Sequence, residues 1–425
     1  MNKDYTKTVH ACFMSYIVQA IINNFVPLLF LTFQSEYGIS LSRITMLVTF
    51  NFGIQLIVDL LSAGIVDRVG YRASMITAHI LSAIGLVSLT ILPGLFPQAW
   101  IGLFASVVIY AAGGGLLEVL VSPIVEACPT DNKEKAMSML HSFYCWGHVG
   151  VVLVSTIFFS IAGLKNWRLL ALFWALIPFV NMFLFFKVPI APLVEEEEGL
   201  SLKGLIRKRI FWVFMLLMVC AGASEQAVSQ WASAFAEKGL GVSKAIGDLA
   251  GPMLFATLMG ISRAFYGKYG EKVNLKKMMI ASGILCIGSY FMIALSPYPA
   301  LGLLGCGLCG LSVGIMWPGS FSMASASIRG GGTAMFAFLA LAGDLGCSGG
   351  PTFVGVVSGY FGNNLKIGIL GAVLFPVILV ITLIHFYRSD RNTEGFKKSN
   401  LEQMNCDILM SYLVCYNPLT IESNA

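Results

Sequence analysis

The chain has 425 residues, of which 57% are hydrophobic and only 12% charged, with a net charge of +5. A soluble domain carries about twice that charged fraction, so a water-facing globule is excluded, and a mean hydropathy of +0.79 assigns the chain to a bilayer. The basic balance suits a membrane protein with basic cytoplasmic loops rather than a nucleic-acid binder.

A hydrocarbon core about 30 Å thick takes roughly 20 apolar residues per helix, and apolar runs with their polar breaks predict twelve helices. In the first half they run near 8–33, 43–65, 73–95, 99–124, 137–162 and 167–187. In the second half they run near 210–236, 244–267, 275–296, 299–323, 333–358 and 366–387. The first run is too long for the core of a cleavable signal and leads directly into more spans. The expected architecture is an all-α membrane protein of two six-helix bundles, 1–187 and 210–387, with a linker at 188–209 and a tail at 388–425. The linker carries Glu195 to Glu198 and then Lys203, Arg207, Lys208 and Arg209, and reads as a solvated connection. In the tail, Ile408 to Tyr416 suits either a membrane surface or disorder.

All 27 lysines and arginines except Arg43, Lys165, Arg168, Lys238, Lys244 and Lys366 fall on one side of this arrangement. The positive-inside bias puts both termini in the cytoplasm of a cell (inner) membrane, with Arg263 counted among the cytoplasmic charges. The ten cysteines lie mostly inside apolar segments. Cys306 and Cys309 form a C-x-x-C without a second pair or a histidine cluster, so no metal or other cofactor is expected.

Between the second and third spans lies Gly64-Ile65-Val66-Asp67-Arg68-Val69-Gly70-Tyr71-Arg72, opposite charges and two glycines between long apolar segments. Asp67, Arg68, Gly70 and Arg72 fall in place, with Gly64 three residues before the aspartate, for a stretch that resembles the signature G-x-x-x-D-R-x-G-x-R of the major facilitator superfamily. The resemblance implies a conformational latch there. After helix 8, Gly260, Arg263, Gly267, Lys268, Gly270 and Lys272 echo the loop without its acid.

Ionisable and amide side chains inside spans are costly and become functional candidates. In helix 4, Gly114, Glu118 and Ser122 are spaced four apart and share a face, ahead of Pro123. This glycine-rich helix resembles the fucose/glucose–proton symporter branch, in which an acid precedes an Asn-Pro by four residues; Ser122 stands where the branch has Asn. The resemblance ties Glu118 to coupling and substrate. In helix 1, Tyr16, Gln19 and Asn23 share a face, and Asn23 takes the position of a branch acid relative to Pro27. An amide holds hydroxyls but carries no proton, so coupling rests on Glu118 alone, on Glu118 with Glu225, on sodium, or is absent.

Helix 7 holds Glu225, Gln226, Ser229, Gln230 and Trp231; the acid and amides suit paired sugar hydroxyls, and the indole a sugar's apolar face. In helix 5, His141 near the cytoplasmic end reads as structural, and His148 either as structural or as a contact to substrate or proton. Asp59 continues a stripe with Asn51 and Gln55, lining the cavity or pairing near the latch. Met316, Trp317 and Pro318 of helix 10 resemble a branch element, and Asp344 sits among glycines in a closely packed helix 11 without an assigned role.

The expected function is secondary transport of a small polar solute, a monosaccharide above all, imported with a proton or sodium ion by alternating access. The expected partners are that solute and the lipid bilayer, with no nucleic acid, and a monomer suffices. An exporter of amphiphilic drugs or metabolites in the same fold is the alternative; the polar pairs on helices 1 and 7 weigh against it. No enzyme is expected, since no Ser/His/Asp set, H-E-x-x-H or aspartate-rich motif falls in the spans.

Overall fold

A computed structural model describes residues 5–129, 133–191, 202–269, 273–328 and 332–388. Among them every regular element is helical. Twelve spans follow in order: α1 Thr6–Tyr37, α2 Leu41–Val69, α3 Tyr71–Leu95, α4 Ala99–Ala127, α5 Lys133–Ala162 and α6 Trp167–Lys187. The second six are α7 Arg209–Ser229, α8 Lys244–Tyr266, α9 Leu275–Leu295, α10 Pro299–Ser327, α11 Gly332–Tyr360 and α12 Leu365–Arg388. Eleven of these are both long and apolar enough to cross a bilayer. The twelfth, α11, is long enough but diluted by glycines, serines and Asp344. Residues 1–380 form one compact unit; the second unit begins at Ile381 and is helical to Arg388. The acidic run of the linker and the tail beyond Arg388 lie outside the described residues.

Helix packing repeats with an offset of six. Helix α1 packs on α4 and α5, α2 and α3 on α4, and α3 on α6. Likewise α7 packs on α10 and α11, α8 and α9 on α10, and α9 on α12. Between these two bundles, α2 packs on α11 and α5 on α8. The outward faces carry exposed Leu60, Leu61, Ile91, Ile161, Phe186 and Ile381. Lipid tolerates such a surface, and the helices satisfy their own backbone groups.

Two glycine runs set the close approaches at the centre. A Cβ on Gly113 would sit 2.6 Å from the Ala78 carbonyl of α3, and one on Gly115 3.0 Å from the Gln55 carbonyl of α2. A Cβ on Gly114 would meet Gln19 Oε1 of α1 at 3.0 Å. Gly113 and Gly115 thus bring α4 to the backbones of α3 and α2 and Gly114 to the Gln19 side chain of α1, with Glu118 one turn further along the Gly114 face. On α11, a Cβ at Gly346 would lie 2.0 Å from the Val219 carbonyl and one at Gly350 2.4 Å from that of Ala223, so α11 rides on the α7 backbone just before Glu225. We expect Gly346→Ala to push α11 off α7 and cost about 1–3 kcal/mol, read as a lower melting temperature of the detergent-solubilised protein.

Several helices break where the chain lacks a donor. Pro27 cannot return an N–H to the Asn23 carbonyl, and α1 passes through a 3₁₀ turn at Val26–Leu29. Pro318 likewise frees the Gly314 carbonyl, and α10 breaks between Val313 and Met316. Helix α7 ends at Ser229 and resumes beyond Trp231.

A polar central cavity as the candidate functional site

Tyr16, Gln19 and Asn23 of α1, Gln55 of α2, Glu118 of α4, Glu225 and Gln226 of α7, Arg263 of α8 and Asp344 of α11 converge on one cavity. Phe52, His141, Tyr144, Trp317 and Cys347 complete its wall. Its empty space, open mouth included, is about 700 Å³.

The polar groups are chained together. Gln19 Nε2 donates to Gln55 Oε1 at 2.8 Å and to Glu118 Oε2 at 3.0 Å. Gln55 Nε2 and Asn51 Nδ2 donate to Asn23 Oδ1 at 2.9 and 3.1 Å. The Tyr16 hydroxyl lies 3.1 Å from Ser122 Oγ, and its ring meets His141 edge-on at 5.4 Å. Across the cavity, Gln226 Nε2 donates to Glu225 Oε1 at 3.2 Å and Arg263 Nη2 to Glu225 Oε2 at 3.4 Å. Among the described residues, Gln19 Oε1 and Arg263 Nε are buried without a hydrogen-bond partner. An acceptor and a donor left open on opposite walls can take the donor and acceptor of a hydroxyl-bearing solute.

Five of the residues expected from sequence to touch substrate line this cavity: Gln19, Asn23, Glu118, Glu225 and Gln226. Three do not. Trp231 is wholly buried, donates from its indole to the Pro351 carbonyl at 2.9 Å and packs on Phe30 at 5.3 Å. It lies five residues beyond Gln226, about 140° round a helix, and within the break in α7. His148 is buried about 10 Å further along α5 than His141 and does not line the cavity. Gln230 faces a small adjoining pocket and donates to Gln226 Oε1 at 3.1 Å.

Two placements correct the sequence reading. Arg263, counted among the basic residues at the membrane surface, lies inside the cavity wall, because α8 runs on past it and Glu225 gives its guanidinium a buried partner. His141, read as structural, also lines the cavity. Gln55 and Trp317 are wall residues, whereas Met316 is fully buried outside the wall. Cys347 carried no sequence signal, being an ordinary residue of an apolar helix.

The α1–α2 loop side of the cavity is closed by contacts between the bundles. The Asn23 carbonyl freed by Pro27 accepts from Gln230 Nε2 at 3.0 Å. Lys244 Nζ donates to the Leu28 carbonyl at 2.7 Å and pairs with the fully buried Asp248 at 3.0 Å. Thr49 and Thr352 hydroxyls meet at 2.5 Å, and Ser348 Oγ donates to the Thr49 carbonyl at 3.3 Å. A Cβ on Gly355 would lie 2.1 Å from Thr45 Oγ1, so α2 and α11 are in tight contact there. We expect Thr352→Val to weaken this seal by about 1 kcal/mol and raise the fraction open on the α1–α2 loop side about fivefold, read by impermeant-thiol labelling of a cavity cysteine from that side.

At the α2–α3 turn, Gly70 has φ 87° and ψ 149°, backbone that only glycine adopts without strain. Arg72 donates to the Phe185 carbonyl and, at 2.8 Å, to that of Val188, capping the end of α6 where carbonyls lack helical partners. Arg68 ends α2 exposed. The side chain of Asp67 and the surroundings of Gly64 lie outside the described residues.

Twelve spans in two six-helix bundles, closed on one side around a polar chamber, define a multi-pass membrane carrier. The profile of the Major Facilitator Superfamily matches residues 11–351, and the chain belongs to that family. Among solved structures it is similar to the Escherichia coli fucose:proton symporter, at 17% identity over 90% of this chain and 99% of that one, TM-score 0.62. It is similar to a D-xylose–proton symporter at 15% identity over 89% and 97%, TM-score 0.72. A bacterial homologue of the human lysosomal transporter Spinster, inward-facing and occupied, gives 16% identity over 91% and 98%, TM-score 0.72. No curated protein matches the sequence.

Proposed function

We propose that this transporter carries a small polar solute, a monosaccharide above all, into the cell together with a proton, by alternating access between bundles 1–187 and 210–387. The observation that carries this reading is the wall of the cavity: amides and carboxylates on α1, α2, α4 and α7 facing one chamber, with Trp317 and Phe52 beside them. Amides and acids pair with adjacent sugar hydroxyls while a flat ring covers the C–H face. Glu118, held by Gln19, is the coupling acid, and Gln19, Asn23, Gln226 and Glu225 are solute contacts. The fucose and xylose symporters among its structural neighbours support the solute class. An amphiphile exporter is less well served, because carboxylates and an arginine line the space it would fill.

In this reading the termini and the Asp67 loop face the cytoplasm of the cell membrane, and the chamber is sealed on the outside by Lys244, Thr49 and Thr352. The stretch from Gly64 to Arg72 serves as the latch, with Arg72 tying α3 to α6. The test is uptake of labelled L-fucose, D-xylose and other sugars into proteoliposomes under imposed proton or sodium gradients. Saturable, proton-driven accumulation of one of them is expected; no sugar uptake under any gradient would remove the proposal.

A further inference from the structure

Asp59 and Asp344 are left without a task by the reading above. Asp59 lies on α2 and Asp344 on α11, the pair of helices along which the bundles meet. Their positions continue a register visible in the seal: Thr45 faces Gly355, Thr49 faces Thr352 and Ser348, and Asp59 faces Asp344. The two helices are antiparallel, so each step inward on α2 answers a step back on α11, and the acids form the innermost rung.

The two carboxyls lie within hydrogen-bonding reach of each other. Neither oxygen of Asp59 is reached by any donor among the described residues, and both are buried. Asp344 is 8% exposed, lines the cavity, and has no hydrogen-bond partner among the described residues besides Asp59. Two carboxylates have only acceptor oxygens. A hydrogen bond between them exists only when one holds a proton, and two like charges at that range in a buried site repel strongly. Glu118 from α4 bears on both carboxyls, and Tyr16 from α1 and Cys347 on α11 itself interact with Asp344; Glu225 from α7, His141 and Tyr144 from α5 and Arg263 from α8 line the same cavity as Asp344. Arg263 is the one cation among them, and its ion pair is with Glu225.

We infer that Asp59 and Asp344 form a second proton site, separate from Glu118, in which one shared proton ties α2 to α11 across the bundle interface. With the proton present the innermost rung is closed by an O–H···O bond. Without it, two carboxylates face each other and α2 and α11 part at that rung. The proton is then exchanged with the cavity through Asp344, and its presence is linked to which side of the chamber is open. This inference rests on the carrier reading for its consequence in transport, but the protonated pair itself is independent of the solute.

The test is therefore made without solute. Infrared spectra of the full-length protein in lipid vesicles are recorded across the neutral pH range for wild type, Asp59→Asn, Asp344→Asn, the double variant and Glu118→Gln. In each single variant the new amide donates N–H to the remaining carboxylate and replaces the shared proton. One protonated-carboxyl band is expected to vanish equally in both single variants, with no further loss in the double variant, and to remain in Glu118→Gln. Either single variant reports if the other fails to fold, as judged by size-exclusion elution. A band that survives in the double variant, or one that disappears in Glu118→Gln alone, overturns the assignment. Failure of sugar uptake with the band behaving as expected would instead strike the proposed solute and leave the proton site standing.

Discussion

Replacing Glu118 with Gln leaves the protein folded and abolishes accumulation driven by an imposed pH gradient. The amide has nearly the same volume as the acid and still meets Gln19, whose Nε2 lies 3.0 Å from Glu118 Oε2. The variant therefore keeps the packing that Gly113, Gly114 and Gly115 give α4. What it loses is a side chain able to take up and release a proton. Accumulation should fall to equilibration, a loss of the whole gradient-dependent component, measured as labelled-sugar uptake in proteoliposomes with the interior more alkaline. Accumulation at the wild-type level would remove Glu118 from the coupling.

The second large effect concerns Arg263 and Glu225. Their side chains are 17% and 8% exposed, with Nη2 and Oε2 3.4 Å apart. Arg263→Gln leaves a buried carboxylate without its cation, which costs about 3–5 kcal/mol. Arg263→Gln with Glu225→Gln removes both charges, and most of that stability should return, because the desolvation penalty disappears with the charge. A double-mutant cycle of melting temperatures isolates the coupling. Additive losses would show that the two groups stabilise the fold independently. Transport is expected to be lost in all three variants, since both residues line the chamber.

The twelve spans were legible from hydropathy because lipid imposes a long apolar run on each helix. Even α11, diluted by glycine and Asp344, was recognisable by its length between polar breaks. The bend in α1 could be read from Pro27, since a missing N–H has a local consequence. The candidate site was half legible. Gln19, Asn23, Glu118, Glu225 and Gln226 stood out as polar groups in apolar helices, and they meet in the cavity. Spacing alone could not show that Trp231 turns into the seal, because that depends on the break in α7 and on the Pro351 carbonyl it reaches.

Arg263 was misplaced for a related reason. Near the end of a hydrophobic run, a basic residue reads as a surface anchor unless its partner is known, and Glu225 is 38 residues away. The nearness of Asp59 to Asp344 was equally hidden, since it arises only once α2 and α11 lie antiparallel. Sequence marks which groups are costly to bury; the fold decides which of them offset one another.

The most direct test of alternating access at this chamber is the labelling of Gln226→Cys by membrane-impermeant thiol reagents, scored against the unsubstituted protein. The account predicts modification from each side of the membrane in turn, with the transported sugar protecting the cysteine from both. Modification from one side only under every gradient and sugar tested would contradict it.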